Sequence, residues 1–244
     1  MTLDYVLDGP PDAATLVLPS SLGTTVELWA PNVAHWSRSF RLLRYNQRGR
    51  DSVAALGRDL VELLDELGLE RVSLCGLSLG GATAMWVAAE VSERLDRLVL
   101  ACTSARFGEP EAWMERAAFV RAHGLEPIAD GIVSRWFTRS ASPEVVARFR
   151  QMLVATPRDP YAACCEALAA WDFRERLPEI HVPTLVIAAA EDSSTPPDHA
   201  ELVADSIDGA RLVVLHDGGH LANVERAETF AGLVAQHVAP AEVV

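Results

Sequence analysis

The feature that most constrains this chain is Gly76-Leu77-Ser78-Leu79-Gly80-Gly81, set between a β-like run and an alanine-rich stretch of helical character. A GxSxG sequence in that setting predicts a nucleophile elbow, in which a strand turns sharply into a helix with the serine at the bend. Such a turn strains the serine backbone and excludes side chains at Gly76 and Gly80. It exposes the hydroxyl at the carboxyl end of a sheet. It also aims the Leu79 amide, at a helix N-terminus, toward an oxyanion forming there.

The surrounding sequence predicts the sheet that this turn needs. Runs at 3–7, 15–18, 40–45, 71–75 and 95–102 have nearly continuous apolar cores, as do strands buried on both faces of a mostly parallel sheet. Between them Val53, Leu56, Leu60, Leu63, Leu64 and Leu67 recur at helical spacing and stop at Gly68. A second helix is expected over 79–91. From residue 104 the pattern changes: 109–123, 127–138, 143–155 and 158–171 read as helices, with Pro110, Pro127, Pro143 and Pro160 near their starts. β-signal returns at 184–190 and 212–215, with helices expected at 198–207 and 224–237. The predicted architecture is α/β: a core over 1–103 and 177–244 that holds a helical cap over 104–176.

A serine hydroxyl is a weak nucleophile and needs a base, which in turn needs an orienting acid. Of seven histidines, His220 follows the last predicted strand in Asp217-Gly218-Gly219-His220, at the sheet edge that carries Ser78. His35, His123, His181, His199, His216 and His237 read as surface or helix-end residues. In the chain order Ser…Asp…His the acid follows another late strand, and Asp192 in Glu191-Asp192-Ser193-Ser194-Thr195-Pro196-Pro197 fits; Glu191 and Asp217 are its competitors. A second oxyanion donor is expected from the loop Pro19-Ser20-Ser21-Leu22-Gly23-Thr24-Thr25, at the Leu22 amide. Thr24 with Glu27 predicts a capping box opening the next helix.

Composition removes other chemistries. All 21 basic residues are arginine, so no lysine Schiff base or lysine general base is available. A net charge of -13 opposes non-specific nucleic-acid binding. Adjacent Cys164 and Cys165, with Cys75 and Cys102 elsewhere, lack metal-site spacing. Asp4, Asp8, Asp12 and early prolines do not read as a signal peptide, and no apolar stretch approaches bilayer length. A cytoplasmic protein with reduced thiols and no membrane association is the default expectation.

The chain resembles the 3-oxoadipate enol-lactonases of aromatic degradation (the β-ketoadipate pathway), within the α/β-hydrolase superfamily. The matching segments span nearly its whole length. They include Ser20-Ser21-Leu22-Gly23-Thr24-Thr25, Arg44-Tyr45-Asn46-Gln47-Arg48-Gly49, the elbow, Arg135-Trp136-Phe137-Thr138, Tyr161-Ala162-Ala163-Cys164-Cys165, Ser194-Thr195-Pro196-Pro197 and His220-Leu221-Ala222-Asn223-Val224-Glu225. The resemblance implies an α/β-hydrolase fold, a small-molecule lactone or ester substrate, and no metal or organic cofactor. It also implies a triad of Ser78, Asp192 and His220, and attack by Ser78 on a lactone carbonyl. A substrate carboxylate would then need a local arginine, and Arg135 beside Trp136 is the first choice, with Arg50 and Arg106 as others. Trp136 and Trp113 are expected chiefly to pack the cap. After Arg50 the chain enters the next helix roughly ten residues sooner than the family pattern. Asn46 stands where the family usually has aspartate, and Ala189 where it has glycine. A carboxylesterase, a carbon–carbon hydrolase or a non-catalytic ligand-binding protein of this fold remain the alternatives; aspartate-nucleophile enzymes are disfavoured by Ser78.

Overall fold

The computed structural model describes residues 3–239; the outermost residues of the expected core, 1–2 and 240–244, lie outside it. Seven strands form one sheet: β1 (Tyr5–Asp8), β2 (Thr15–Leu18), β3 (Arg41–Tyr45), β4 (Val72–Leu77), β5 (Leu95–Ala101), β6 (Thr184–Ala189) and β7 (Arg211–Leu215). Their order is β1-β3-β2-β4-β5-β6-β7, and every neighbour pair is parallel except β1 on β3. Helices α1 (Ala30–Trp36), α2 (Val53–Glu66) and α3 (Leu79–Glu90) link the early strands. Then come α4 (Pro110–His123), α5 (Ala129–Val133), α6 (Pro143–Val154) and α7 (Arg158–Ala169), followed by α8 (Pro197–Ser206), α9 (Ala222–Glu225) and α10 (Ala227–Val238).

The pleat divides the strand side chains between two cores. Val17, Leu43, Leu74 and Leu98 meet α2, α3 and α8 on one face, while Leu16, Leu18, Leu42 and Val99 meet α1 and α10 on the other. Helix α2 follows the leucine spacing: Leu56, Leu60, Leu63 and Leu64 are buried, each worth about 1.5–3 kcal/mol relative to exposure. Ser52 caps it, its hydroxyl accepting from the Ala55 amide at 3.3 Å, so the short passage after Arg50 is spent entirely on starting this helix. Helix α3 is apolar on nearly every side because it lies between the sheet and α2, and buried helices carry no polar stripe.

Four expectations change. The helix foreseen over 127–138 is a 3₁₀ turn (Glu126–Ile128) followed by only five α-helical residues. Beyond Ser134 the backbone turns outward to other partners: the Trp136 carbonyl accepts from Leu221 N at 3.0 Å, and Thr138 N donates to Glu225 Oε1 at 3.1 Å. The helix foreseen over 224–237 begins two residues earlier as α9 and breaks at Arg226 before α10. The predicted capping box does not form. Thr25, not Thr24, caps a 3₁₀ turn (Val26–Trp29) through the Glu27 amide, while the Thr24 hydroxyl donates to Ser21 O at 2.8 Å. The strand before the elbow also runs further than expected, as far as Leu77.

The topology places the site. From β2 the chain crosses to β3 on one side, then returns to β4 on the other, so loops after β2 and β4 leave the sheet in opposite directions. A crevice opens at the carboxyl ends of these strands, where α/β sheets bind ligands.

Candidate active site

Ser78 stands at the bend between β4 and α3 with φ 57° and ψ -117°, one of two non-glycine residues with positive φ among those described. Such a conformation costs about 1–3 kcal/mol and persists only where neighbours over-determine it. Here Ser78 N donates to Ala101 O at 3.0 Å and Thr103 Oγ1 donates to Ser78 O at 2.7 Å, fixing the bend to the end of β5. A Cβ on Gly76 would stand 2.2 Å from the Gly80 carbonyl oxygen, the clash expected within the turn. A Cβ on Gly80 would instead meet the Pro19 carbonyl oxygen at 2.2 Å. Gly80 therefore serves the docking of the 19–25 loop onto the elbow rather than the turn itself.

That loop carries Leu22. Gln47 holds it in place, its Nε2 donating to Ser20 O while its Oε1 accepts from Thr83 on α3 at 3.0 Å. Among the described residues neither the Leu22 nor the Leu79 amide donates to another protein group. Both therefore remain available as donors beside the elbow. Asn46, where the family pattern has aspartate, accepts the Val26 amide at 3.0 Å through its side-chain oxygen. That is an acceptor role either residue can fill.

His220 and Asp192 meet after β7 and β6. His220 Nδ1 lies 2.8 Å from Asp192 Oδ2, and both side chains are almost fully buried. Thr195, unanticipated from the sequence, donates its hydroxyl to the same Oδ2 at 2.7 Å and comes within 3.4 Å of Nδ1. The Ser194 and Thr195 amides supply Oδ1 at 2.8 and 3.0 Å. Burial alone would raise the Asp192 pKa. The His220 charge and the hydrogen bonds from His220 and Thr195 outweigh it and hold the carboxyl below its usual value. With Nδ1 bonded to a carboxylate, Nδ1 carries the proton and Nε2 is the free acceptor. Of the competing acids, Glu191 is exposed and Asp217 is exposed beside Arg226.

Ser78 and His220 share a cavity of about 100 Å³ with Leu22, Arg116, Arg135 and Trp136. None of the other six histidines lines it. Trp113 is also in its wall, with the Arg116 guanidinium 4.7 Å from its ring centre, so both tryptophans border the cavity as well as pack around it. Of the three arginines proposed for a substrate carboxylate, only Arg135 reaches here. Arg50 is taken up by a two-pronged pair with Asp59 at 2.7 Å, and Arg106 pairs with Glu109 beside a separate cavity. Arg116 was missed; its place three residues from Trp113 on one helical face was the only sequence signal for it. Among the described residues no cluster of histidine, cysteine and carboxylate side chains could hold a metal, and all four cysteines are buried thiols.

Glu225 ties the His220 turn to the segment that carries Arg135. Its Oε1 accepts from Thr138 N and Oγ1 at 3.1 and 2.7 Å, and its Oε2 accepts from Gly219 N at 2.8 Å. Gly219 has no room for a side chain, since a Cβ would lie 2.9 Å from both Glu225 Oε2 and the Trp136 carbonyl oxygen.

The family model described as the alpha/beta hydrolase fold matches residues 14–227. The chain is 35% identical to 3-oxoadipate enol-lactonase 2 of Acinetobacter baylyi, over 94% of this chain and 90% of that protein. Among solved structures, the enol-lactonase from Burkholderia xenovorans LB400 superposes with a TM-score of 0.94 at 39% identity, covering 97% of this chain and 96% of that one. A hydrolase from Pseudomonas aeruginosa PA01 superposes with a TM-score of 0.92 at 42% identity, covering 97% and 94%.

Proposed function

The chain belongs to the alpha/beta hydrolase fold family and is a hydrolase of esters or lactones; from that premise we propose that it opens 3-oxoadipate enol-lactone or a related enol-lactone through an acyl-enzyme on Ser78. The observation that carries this reading is the Asp192–His220 hydrogen bond, buried in the same cavity as an elbow serine. Nε2 of His220 accepts the Ser78 proton as Oγ adds to the lactone carbonyl carbon. The carbonyl electron pair moves to oxygen, where the Leu22 and Leu79 amides stabilise the charge. Collapse of this intermediate breaks the bond to the ring oxygen, which leaves as an enol taking the proton back from His220, and the enol tautomerises to a ketone. Water, deprotonated by His220, then cleaves the acyl-enzyme to a carboxylate and free Ser78. Asp192 stays ionised throughout and stabilises the imidazolium. Arg135 and Trp136 form the substrate wall, and residues 104–176 act as a helical cap over the cavity.

A fluorophosphonate probe tests the mechanism: mass spectrometry of the folded protein is expected to find the label on Ser78, lost in Ser78→Ala. An unlabelled Ser78 would sink it. Assay of purified protein on the enol-lactone beside 4-nitrophenyl butyrate tests the substrate, with lactone turnover expected to dominate. Ester cleavage without lactone turnover would reassign the protein as a carboxylesterase.

A further inference from the structure

Arg116 and Arg135 border two spaces at once. Together with Ile132 they line both the catalytic cavity and a groove of about 500 Å³ on the outer side of α4 and α5, so these three side chains are the partition between them. Among the described residues neither guanidinium has a carboxylate partner within ion-pair distance, although the protein carries 34 acidic residues. Eleven other arginines have one; what sets Arg116 and Arg135 apart is that they line the cavity that holds Ser78 and His220.

An unpaired charge facing a cavity is costly unless water or a ligand compensates it. Water can reach both from the groove, since Arg135 is exposed and Arg116 half-exposed. Two like charges held together raise the cost further. Burial and then the Arg116 charge lower the Arg135 pKa, and Tyr161, buried in the cavity wall, is a neutral hydrogen-bond partner of Arg116 that cannot cancel either charge. A ligand carboxylate placed between the guanidiniums offsets their mutual repulsion and gives each a counter-charge. Glu115 lines the groove and not the cavity, so the favourable side for an anion is the inner one, facing Ser78.

We propose that Arg116 joins Arg135 as the second arm of a two-guanidinium clamp for a substrate carboxylate. The clamp rests on the hydrolase reading for its use but not for its existence, because anion binding needs no turnover. Arg116 enters as a specificity residue beside the Arg135 named above.

The test has two arms on the full-length protein. In the first, glutarate is titrated into Ser78→Ala and read by tryptophan fluorescence, since Trp113 and Trp136 line the cavity. Saturable quenching is expected, weakened about tenfold or more in Arg116→Gln and in Arg135→Gln, as loss of one charge-assisted bond requires. Absence of saturable binding, or binding indifferent to both variants, would overturn the clamp. In the second arm, kcat/KM is compared for the 4-nitrophenyl esters of glutaric acid, which carries a free carboxylate, and of pentanoic acid, which does not. The anionic-to-neutral ratio is expected to fall about tenfold in each variant, chiefly through KM, to recover in part in Arg116→Lys, and to hold in Arg106→Gln, which lines another cavity. An equal loss on both esters would make the arginines merely structural and overturn the proposal. Glutarate binding alongside failure of the fluorophosphonate probe to label Ser78 would leave the clamp standing and bring down the hydrolase mechanism instead.

Discussion

Thr195 governs two neighbours with one hydroxyl. It donates to Asp192 Oδ2 at 2.7 Å and packs against His220 Nδ1, so the carboxylate oxygen that orients the imidazole is itself held from a second direction. Thr195→Val keeps the shape and removes the donor. It is expected to lower kcat about three- to tenfold with little change in KM, while Thr195→Ser keeps most of the activity; full activity in Thr195→Val with a loss in Thr195→Ser would mean that the methyl packing matters and the hydrogen bond does not. Asp192 adds a pH signature. Its folded pKa lies below the unfolded value near 3.9, so its contribution to stability is complete above that value and is lost as pH falls through the folded pKa. Tm measured from about pH 5 down to pH 3 should fall less steeply in Asp192→Asn than in the parent protein.

At the scale of elements, the decisive contact joins two short segments that neither helix nor sheet propensity explains. The stretch after α5 gives up its helical hydrogen bonds to pair with the His220 turn, and Glu225 spans the two with both carboxylate oxygens. The Trp136–Thr138 segment and the His220 turn are thereby tied together, and they close on Gly219, where a Cβ would lie 2.9 Å from both Glu225 Oε2 and the Trp136 carbonyl oxygen. Glu225→Gln keeps the volume but turns one acceptor oxygen into a donor facing an N–H. A loss of about 1–3 kcal/mol in urea unfolding is expected, together with a fall in kcat. Unfolding energy lost with kcat intact would show that the strut stabilises the fold without positioning His220.

At the scale of the whole molecule, the early and late parts of the chain lock together. Trp29 and Trp36 near the start, with ring centres 6.1 Å apart, pack with Phe230 near the end at 6.3 and 6.4 Å. Trp36 Nε1 donates to Ala231 O at 3.0 Å, and buried Asn32 and Asn223 bridge the same joint through Asn223 O and Leu28 O. Because α9 follows closely on His220, this joint anchors His220 from behind. Phe230→Ala is expected to cost about 3–5 kcal/mol in urea unfolding, a large part of a typical stability of about 5–15 kcal/mol. A cost below about 1 kcal/mol would mean that the cluster relaxes around the void and does not hold the joint.

Much of this was legible in the residues themselves, for a physical reason. Strands buried on both faces write continuous apolar runs, and an elbow must have glycines flanking a serine. Loops that follow strands in a parallel sheet also reach one common edge. Ser78, Asp192 and His220 could therefore be nominated, and their architecture foreseen, from local pattern alone. What the pattern could not carry were contacts between distant segments. Thr24 and Glu27 satisfied a capping rule, yet Ser21 claimed the Thr24 hydroxyl. The 127–138 stretch had helical periodicity, yet Leu221 and Glu225 took its backbone groups. Arg50, Arg106 and Arg135 were equivalent as letters, and only the fold decided that Asp59 and Glu109 occupy the first two while Arg135 faces the cavity with Arg116. Local sequence sets which conformations and chemistries are available; the free energy of pairing buried charges and backbone groups, settled between residues up to 195 apart, chooses among them.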